Sequence, residues 1–243
     1  MKTLVCVKRV PETGARITLT ADEQEIDTTH LGFTISPHEE CAVEEALRIG
    51  GETTVLTLGP RAAEEQLRNA LAMGIGSAVL LETDGGDWSA EATAAAIVDA
   101  IRDGGYDLLL FGNESADAGN YQVAVRVAHA LGLPVVTGIK GIEVRDGVVH
   151  ARREAGGGWE IFELSLPAVL AVREGLNLPR YPSLKGRLRA KKTEIQIVRP
   201  EPRASRLEKL RLVVPQEEPR TVEFLPDAAR AAEVLRELGL VTG

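Results

Sequence analysis

The first 135 residues alternate short apolar runs with helical patterns, and that alternation constrains the fold more than any other feature of the chain. Residues 3–7 form an apolar run suited to a buried strand. Ser36-Pro37-His38-Glu39 opens a helix, with Ser at the N-cap, Pro in the first turn and Glu placed three residues on for a capping box. The helix that follows carries Cys41, Ala42, Ala46 and Ile49 on one stripe, which predicts that its glutamates, Glu44 and Glu45 among them, form a solvated face. Residues 54–58, 78–81 and 107–111 read as further strands. A helix from the Gly59-Pro60 turn to Met73-Gly74 and an alanine-rich helix over residues 89–102 separate them. Residues 120–131 read as another helix, stopped by Gly132 and Pro134. Strands buried on both faces and separated by helices imply parallel pairing with right-handed crossovers. The expected class is α/β, a doubly wound, mostly parallel sheet of flavodoxin/Rossmann-like topology.

The pattern then changes. Residues 141–145 and 148–153 flank Asp146-Gly147, a hairpin signal. Residues 159–164 and 168–172 follow as strands, and the expectation is an antiparallel extension of the sheet. After residues 195–198 comes a tail punctuated by Pro200, Pro202, Pro215, Pro219 and Pro226 and ending in a helix over residues 227–238. The chain accordingly divides into an α/β domain, residues 1–198, and an extended C-terminal arm, residues 199–243. With little core of its own, the arm is expected to lie along the domain or wrap a partner subunit.

Composition excludes several function classes. A chain of 243 residues, 44% hydrophobic and 26% charged, can bury a sizeable core. No apolar run approaches the ~20 residues of a membrane span. The opening MKTLVCVKRV lacks the apolar core and cleavage site of a secretory signal, so a cytoplasmic (bacterial) location is expected. Cys6 and Cys41 are far apart, and the four histidines show no ligand spacing, so neither a disulfide framework nor a metal site is expected. A net charge of −8 argues against general nucleic-acid binding.

Ligands in open parallel sheets gather beyond the carboxyl ends of the strands. The best candidate is the loop from Gly112 to Gln122, GNESADAGNYQ, which runs from a strand into a helix. Its small residues let backbone approach a ligand, and a helix N-terminus offers free N–H groups to a phosphate. A plain strand-to-helix turn is the other reading of the same pattern. GxGxxG, GxxxxGK[ST], G-x-S-x-G and HExxH are all absent. Ser115 and His129 lack a positioned third group, and His38 reads as a surface or ligand-lining residue. An enzyme acting on an adenine nucleotide here would need catalytic groups or a metal near Asp117. The sequence supplies no convincing set, and no catalytic residue is assigned.

One stretch runs against the acidic balance. Residues 173–193, REGLNLPRYPSLKGRLRAKKT, hold seven Lys/Arg against one Glu. Pro179 and Pro182 exclude a long helix through its centre. With Leu184 and Tyr181 set among cations, it reads as a loop with a positive rim around an apolar anchor, suited to docking acidic partner proteins.

Four colinear pieces now carry a resemblance: LVCVKRVPET, SPHEECAVEEALRI, DLLLFGNESADAGNYQ followed by ALGLPVVT, and LNLPRYPSLKGRLRAKKTEI. The last is similar to the signature N-x-P-R-Y-x-x-L-…-A-K-K. Along nearly its whole length the chain resembles the β subunit of electron-transfer flavoproteins. The resemblance implies an electron carrier rather than an enzyme, paired with an α subunit that holds most of an FAD. Electrons would come from dehydrogenases such as those acting on acyl-CoA in fatty acid oxidation, and would leave to a membrane quinone oxidoreductase. The β subunit would bind a structural AMP. By position, the AMP would meet Cys6, Ser36, Pro37, His38, Glu39, Leu58, the run Asp117, Ala118, Gly119, Asn120, Tyr121, Gln122, Val123 and Ala124, and Val127. The loop over residues 11–15, with Thr13, would approach the flavin. Leu184 matches the family's anchor leucine, and Arg180, Tyr181, Lys185, Arg187, Lys191 and Lys192 complete the implied partner-recognition set. Two departures are Ser36-Pro37-His38 where many relatives have Asn-Pro-Phe, and Ala124 where they have Gly. Bifurcating members bind a second FAD in place of AMP and oxidise NADH. Val10-Pro11-x-Thr13 is reminiscent of them, whereas the less Gly/Thr-rich phosphate loop favours AMP.

Overall fold

The computed structural model describes residues 1–12, 17–203, 206–207, 209–215, 222 and 224–241. In chain order they form β1 (Lys2–Cys6), β2 (Val10–Pro11), β3 (Phe33–Thr34), α1 (Pro37–Ile49), β4 (Glu52–Gly59), a 3-10 turn (Arg61–Ala63) and α2 (Glu64–Met73). Then come β5 (Ser77–Glu82), α3 (Ala90–Ile101), β6 (Leu108–Gly112), α4 (Val123–Leu131), β7 (Val135–Arg145), β8 (Val148–Ala155) and β9 (Gly158–Ser165). β10 (Ala168–Val172), α5 (Leu184–Lys192), β11 (Ile195–Val198) and α6 (Ala228–Glu237) complete the order. Nine strands make one open sheet in the order β11-β5-β4-β1-β6-β10-β7-β8-β9. β1 pairs in parallel with β4 on one side and β6 on the other, so the strand order reverses there.

Alternation along each strand divides the core between the two faces. Val5, Val55, Leu80, Leu108, Leu110 and Leu170 pack with α1 and α2. Leu4, Cys6, Leu56, Leu81, Leu109 and Phe111 pack with α3 and α4. Both faces are therefore dry, which is why these strands read as unbroken apolar runs. The doubly wound, mostly parallel sheet is the expected one, and the cap of α1 follows its sequence: Ser36 accepts from the Glu39 N–H and the Glu39 carboxylate accepts from the Ser36 N–H.

Four expectations are corrected. β10 is not part of the antiparallel extension: it runs parallel between β6 and β7, buried along its whole length. The chain leaves β7 through the β8–β9 hairpins and returns to fill that gap, and only β7–β8 and β8–β9 pair antiparallel. Glu44 and Glu45 are buried, not solvated. The basic stretch is not loop throughout, because Ser183 caps α5 immediately after Pro182. The helix predicted from Asn120 starts at Val123, because Tyr121 takes a φ of 56°, outside the helical region. In the arm, Arg199, Arg203, Arg206, Lys209 and Arg211 lie against the domain through ion pairs with Glu82, Asp99, Glu91, Asp87 and Glu23 respectively. α6 buries none of its residues.

Candidate functional site at the carboxyl edge of the sheet

The polar groups that gather beyond β1 and β6 come from three elements. Lys8 follows β1, Ser36 and Glu39 open α1, and Glu114 and Asp117 sit on the loop after β6. The Lys8 ammonium pairs with Asp117 at 2.6 Å, and the Lys8 N–H donates to Glu39 Oε1 at 3.1 Å. Ser36 N–H donates to Glu39 Oε2 at 3.1 Å, and its hydroxyl reaches the Glu114 carbonyl at 3.3 Å. His38 Nδ1 accepts from the Glu174 N–H at 2.9 Å, while Nε2 stands 3.5 Å from the Glu114 carboxylate.

Burial sets the charges. It pushes the Glu39 carboxyl up to about 8, against the pull of the two backbone donors and the Lys8 charge. Burial also raises the Cys6 thiol well above its ordinary range, and Glu39 adds to that. Asp117 goes the other way: burial opposes its ionisation, but the Lys8 charge and hydrogen bond outweigh it and hold the carboxyl low. One firm cation–anion pair therefore spans the edge beside a carboxyl that is hard to ionise.

The expected cofactor-binding residues divide on this geometry. Cys6, Ser36, Pro37, His38, Glu39 and Asp117 come together at the edge, and Leu58 lies near the end of the adjacent β4. Ala118 N–H caps Asp117 Oδ1 at 2.7 Å, and Gly119 and Tyr121 both take positive φ, which turns the loop before α4. Asn120 and Tyr121 are exposed, and Gln122 accepts from Arg126. No side chain caps α4, so the first N–H groups, from Val123 and Ala124, keep the free donors of a helix start. Val127 is sealed in the α3/α4 core. Thr13 lies outside the described residues, as do Gly14 and Ala15 of the expected flavin-facing loop. Sequence reasoning missed Lys8, although a lysine just past the first strand of a parallel sheet is a usable signal, and it did not single out Glu114 within the candidate loop. It also missed a cleft of about 330 Å³ next to the site, lined by Asn113, Glu114, Tyr121, Thr137, Arg153 and Arg173 among others.

The residues expected to recognise a partner lie elsewhere. Tyr181 and Leu184 are 95% and 77% exposed, and Lys185, Arg187, Lys191 and Lys192 are exposed around them. Arg180 differs from the rest: its guanidinium is bound to Glu44 at 2.7 and 3.0 Å. Among the described residues no group of three or more His, Cys, Asp or Glu is placed to hold a metal, and no helix is long and apolar enough to cross a membrane.

Fold and edge together define an open, doubly wound α/β protein with its polar cluster beside the strand-order reversal, the architecture on which nucleotides are commonly held. The model of the electron transfer flavoprotein domain family matches residues 25–202. Electron transfer flavoprotein subunit beta of Syntrophomonas wolfei is 38% identical over 202 residues, covering 80% of this chain and 78% of its own length. The subunit beta of Bacillus subtilis is 34% identical over 245 residues, covering 97% and 92%, and that of Dictyostelium discoideum is 30% identical over 206, covering 83% and 82%. The chain belongs to the electron transfer flavoprotein β-subunit family.

Proposed function

We propose that the chain pairs with an electron transfer flavoprotein α subunit and acts as an electron carrier, not an enzyme, in the cytoplasm. In this reading it holds a structural AMP, helps to keep the FAD carried mainly by the α subunit, and docks primary dehydrogenases, acyl-CoA dehydrogenases among them. Electrons then pass towards a membrane quinone oxidoreductase. FAD, when bound, supplies the one- and two-electron chemistry. The chain's own residues supply binding, position and exclusion of water.

The observation that carries the reading is the placement of Tyr181 and Leu184. Two large apolar side chains stand almost free of the protein at the head of a cationic helix, on an acidic chain. Isolated apolar exposure is ordinary, but an apolar tip rimmed by like charges is the form of a docking anchor. The AMP reading is supported by the uncapped start of α4, the positive-φ turn before it and the Lys8 cation. Asp117 to Ala124 and Ser36 are the residues that would hold it. An α subunit is supported by apolar residues of the arm left in solvent, including Val213, Phe224, Leu235 and Leu238. These are too many for a chain that works alone.

The test uses the αβ complex. Acid extraction should release about one AMP and one FAD per heterodimer. Leu184→Ala should leave the flavin spectrum unchanged while weakening docking to an acyl-CoA dehydrogenase by ~2 kcal/mol, roughly thirtyfold in kcat/KM. Unchanged transfer kinetics would overturn the docking assignment. Two FAD and no AMP would overturn the AMP assignment in favour of a bifurcating subunit that oxidises NADH.

A further inference from the structure

We propose that Glu44 is the positioning residue of the docking tip, and that Arg180 serves as its tether rather than as a docking cation. This rests on the docking reading of Tyr181 and Leu184 given above. Glu44 sits on α1 at 3% exposure, 136 residues from its partner in sequence. Its two oxygens receive four donors: Arg180 N at 3.2 Å, Arg180 Nε at 2.7 Å, Arg180 Nη2 at 3.0 Å and Arg48 Nε at 2.8 Å. Burial opposes ionisation of this carboxyl, but the bonds from Arg180 and Arg48 outweigh it and hold it down at about 2. It stays charged, and the fork stays closed, across the physiological range.

The same helix holds the residues just before Arg180. Asn177 Nδ2 donates to Glu45 Oε2 at 2.8 Å and to the Cys41 carbonyl at 3.0 Å, and Arg48 Nη2 reaches the Leu178 carbonyl at 3.4 Å. The segment is thus fastened to one face of α1 up to Arg180. Beyond the tip it is fastened again, to α2: Arg189 Nη2 donates to the Leu71 carbonyl at 2.8 Å and Arg68 Nη1 to the Ala190 carbonyl at 2.6 Å. Residues 181–188, the apolar tip and the first turns of α5, bridge these two fixed ends. A bridge held at both ends presents its apolar groups without having to order them on each encounter. Arg180 makes three of its hydrogen bonds inward to one carboxylate, which leaves the rim charge to Lys185, Arg187, Lys191 and Lys192.

The experiment compares Glu44→Gln, Arg180→Lys and the double variant in the αβ complex, with Leu184→Ala beside them. The reaction is reduction of the complex by an acyl-CoA dehydrogenase. Glu44→Gln should raise KM about tenfold through the ordering cost returned to docking, with kcat and the flavin spectrum little changed. Arg180→Lys keeps the charge but loses the fork, and should match it, with the double variant no worse than either single. The slope of log kcat/KM against log salt should stay that of the parent. Amide exchange should quicken over residues 177–182 and not over residues 187–192. An Arg180→Lys variant that docks like the parent, additive effects, or unaltered exchange in Glu44→Gln would overturn the tether while Leu184→Ala still weakened docking. If Leu184→Ala changed nothing, the docking reading itself would fall, and the tether's role with it.

Discussion

Gly186, in the first turn of α5, gives a prediction whose sign separates two explanations. A Cβ built there would lie 2.2 Å from the Ala72 carbonyl oxygen, and real Cβ contacts essentially never fall under 3.0 Å. The atom it meets is backbone at the end of α2, so it cannot swing aside as a side chain would. Helix propensity alone predicts that Gly186→Ala stabilises, by roughly 1 kcal/mol. Packing predicts the reverse. The helix must lift from α2, straining or losing the Arg189–Leu71 and Arg68–Ala190 bonds and opening the seat of buried Ala190. Overpacking costs about 1–3 kcal/mol, and each bond to a charged group about 1.5–3 kcal/mol. After the propensity gain, a net loss of about 3 kcal/mol is expected. At about 2–4 °C per kcal/mol for a chain of this size, the thermal midpoint should fall by roughly 6–12 °C. Arg187→Ala, one residue on and exposed, should shift it by little. The assay is thermal unfolding followed by circular dichroism. A Gly186→Ala midpoint equal to or above the parent's would refute the claim that α5 is seated on α2 through this glycine.

Two further outcomes follow from the charges. The folded pKa of Glu39, about 8, lies above its ordinary 4.5, so its stabilising contribution is complete below about 4.5 and is lost as pH rises through 8. Glu39→Gln should flatten the pH dependence of stability across that window, by on the order of a few kcal/mol; denaturant midpoints with the parent's slope would contradict it. Reversing the rim with Lys191→Glu and Lys192→Glu should slow association with an acidic partner severalfold at low salt and hardly at all at high salt, where screening acts within ~3 Å. Stopped-flow rates that respond equally at both salts would rule out steering.

The sequence made the sheet readable where one local rule sufficed. Residues 3–7 and 54–58 are apolar on both faces and can only be interior strands, and Ser36 with Glu39 marks a helix start without reference to anything distant. β10 obeys the same rule, since AVLAV is fully buried, but chain order suggested a continuing antiparallel run. Its place between β6 and β7 depends on a gap that β7 leaves by pairing onward with β8, which no window of residues can contain. Glu44 and Glu45 fail for a related reason. A glutamate off the apolar stripe of a helix is solvated by default, and the donors that bury these two arrive 136 and 132 residues later. α5 was closer to legible, because Ser183 precedes a run of good helix formers. Gly186 and the neighbouring prolines hid it, and the glycine is present for a contact with α2, not for a turn.

α1 connects what the sequence presented as two separate features. Its first turn builds the carboxyl-edge cluster through Ser36, His38 and Glu39, and its later turns fasten the basic segment through Cys41, Glu44, Glu45 and Arg48. A helix is stiff along its axis, so these two sets of bonds share one rigid body of 13 residues. His38 strengthens the link from the opposite direction: it accepts from Glu174 N–H, at the start of the stretch that Asn177 and Arg180 then pin to the same helix. Within the segment from Glu174 to Arg180, Leu176 packs against the α1/α2 core while the polar groups on either side bond to α1. The segment follows α1 from the carboxyl edge of the sheet outward. The acidic face of α1, which looks like a solvated surface in isolation, is what gives a cationic segment a fixed address on an otherwise acidic protein.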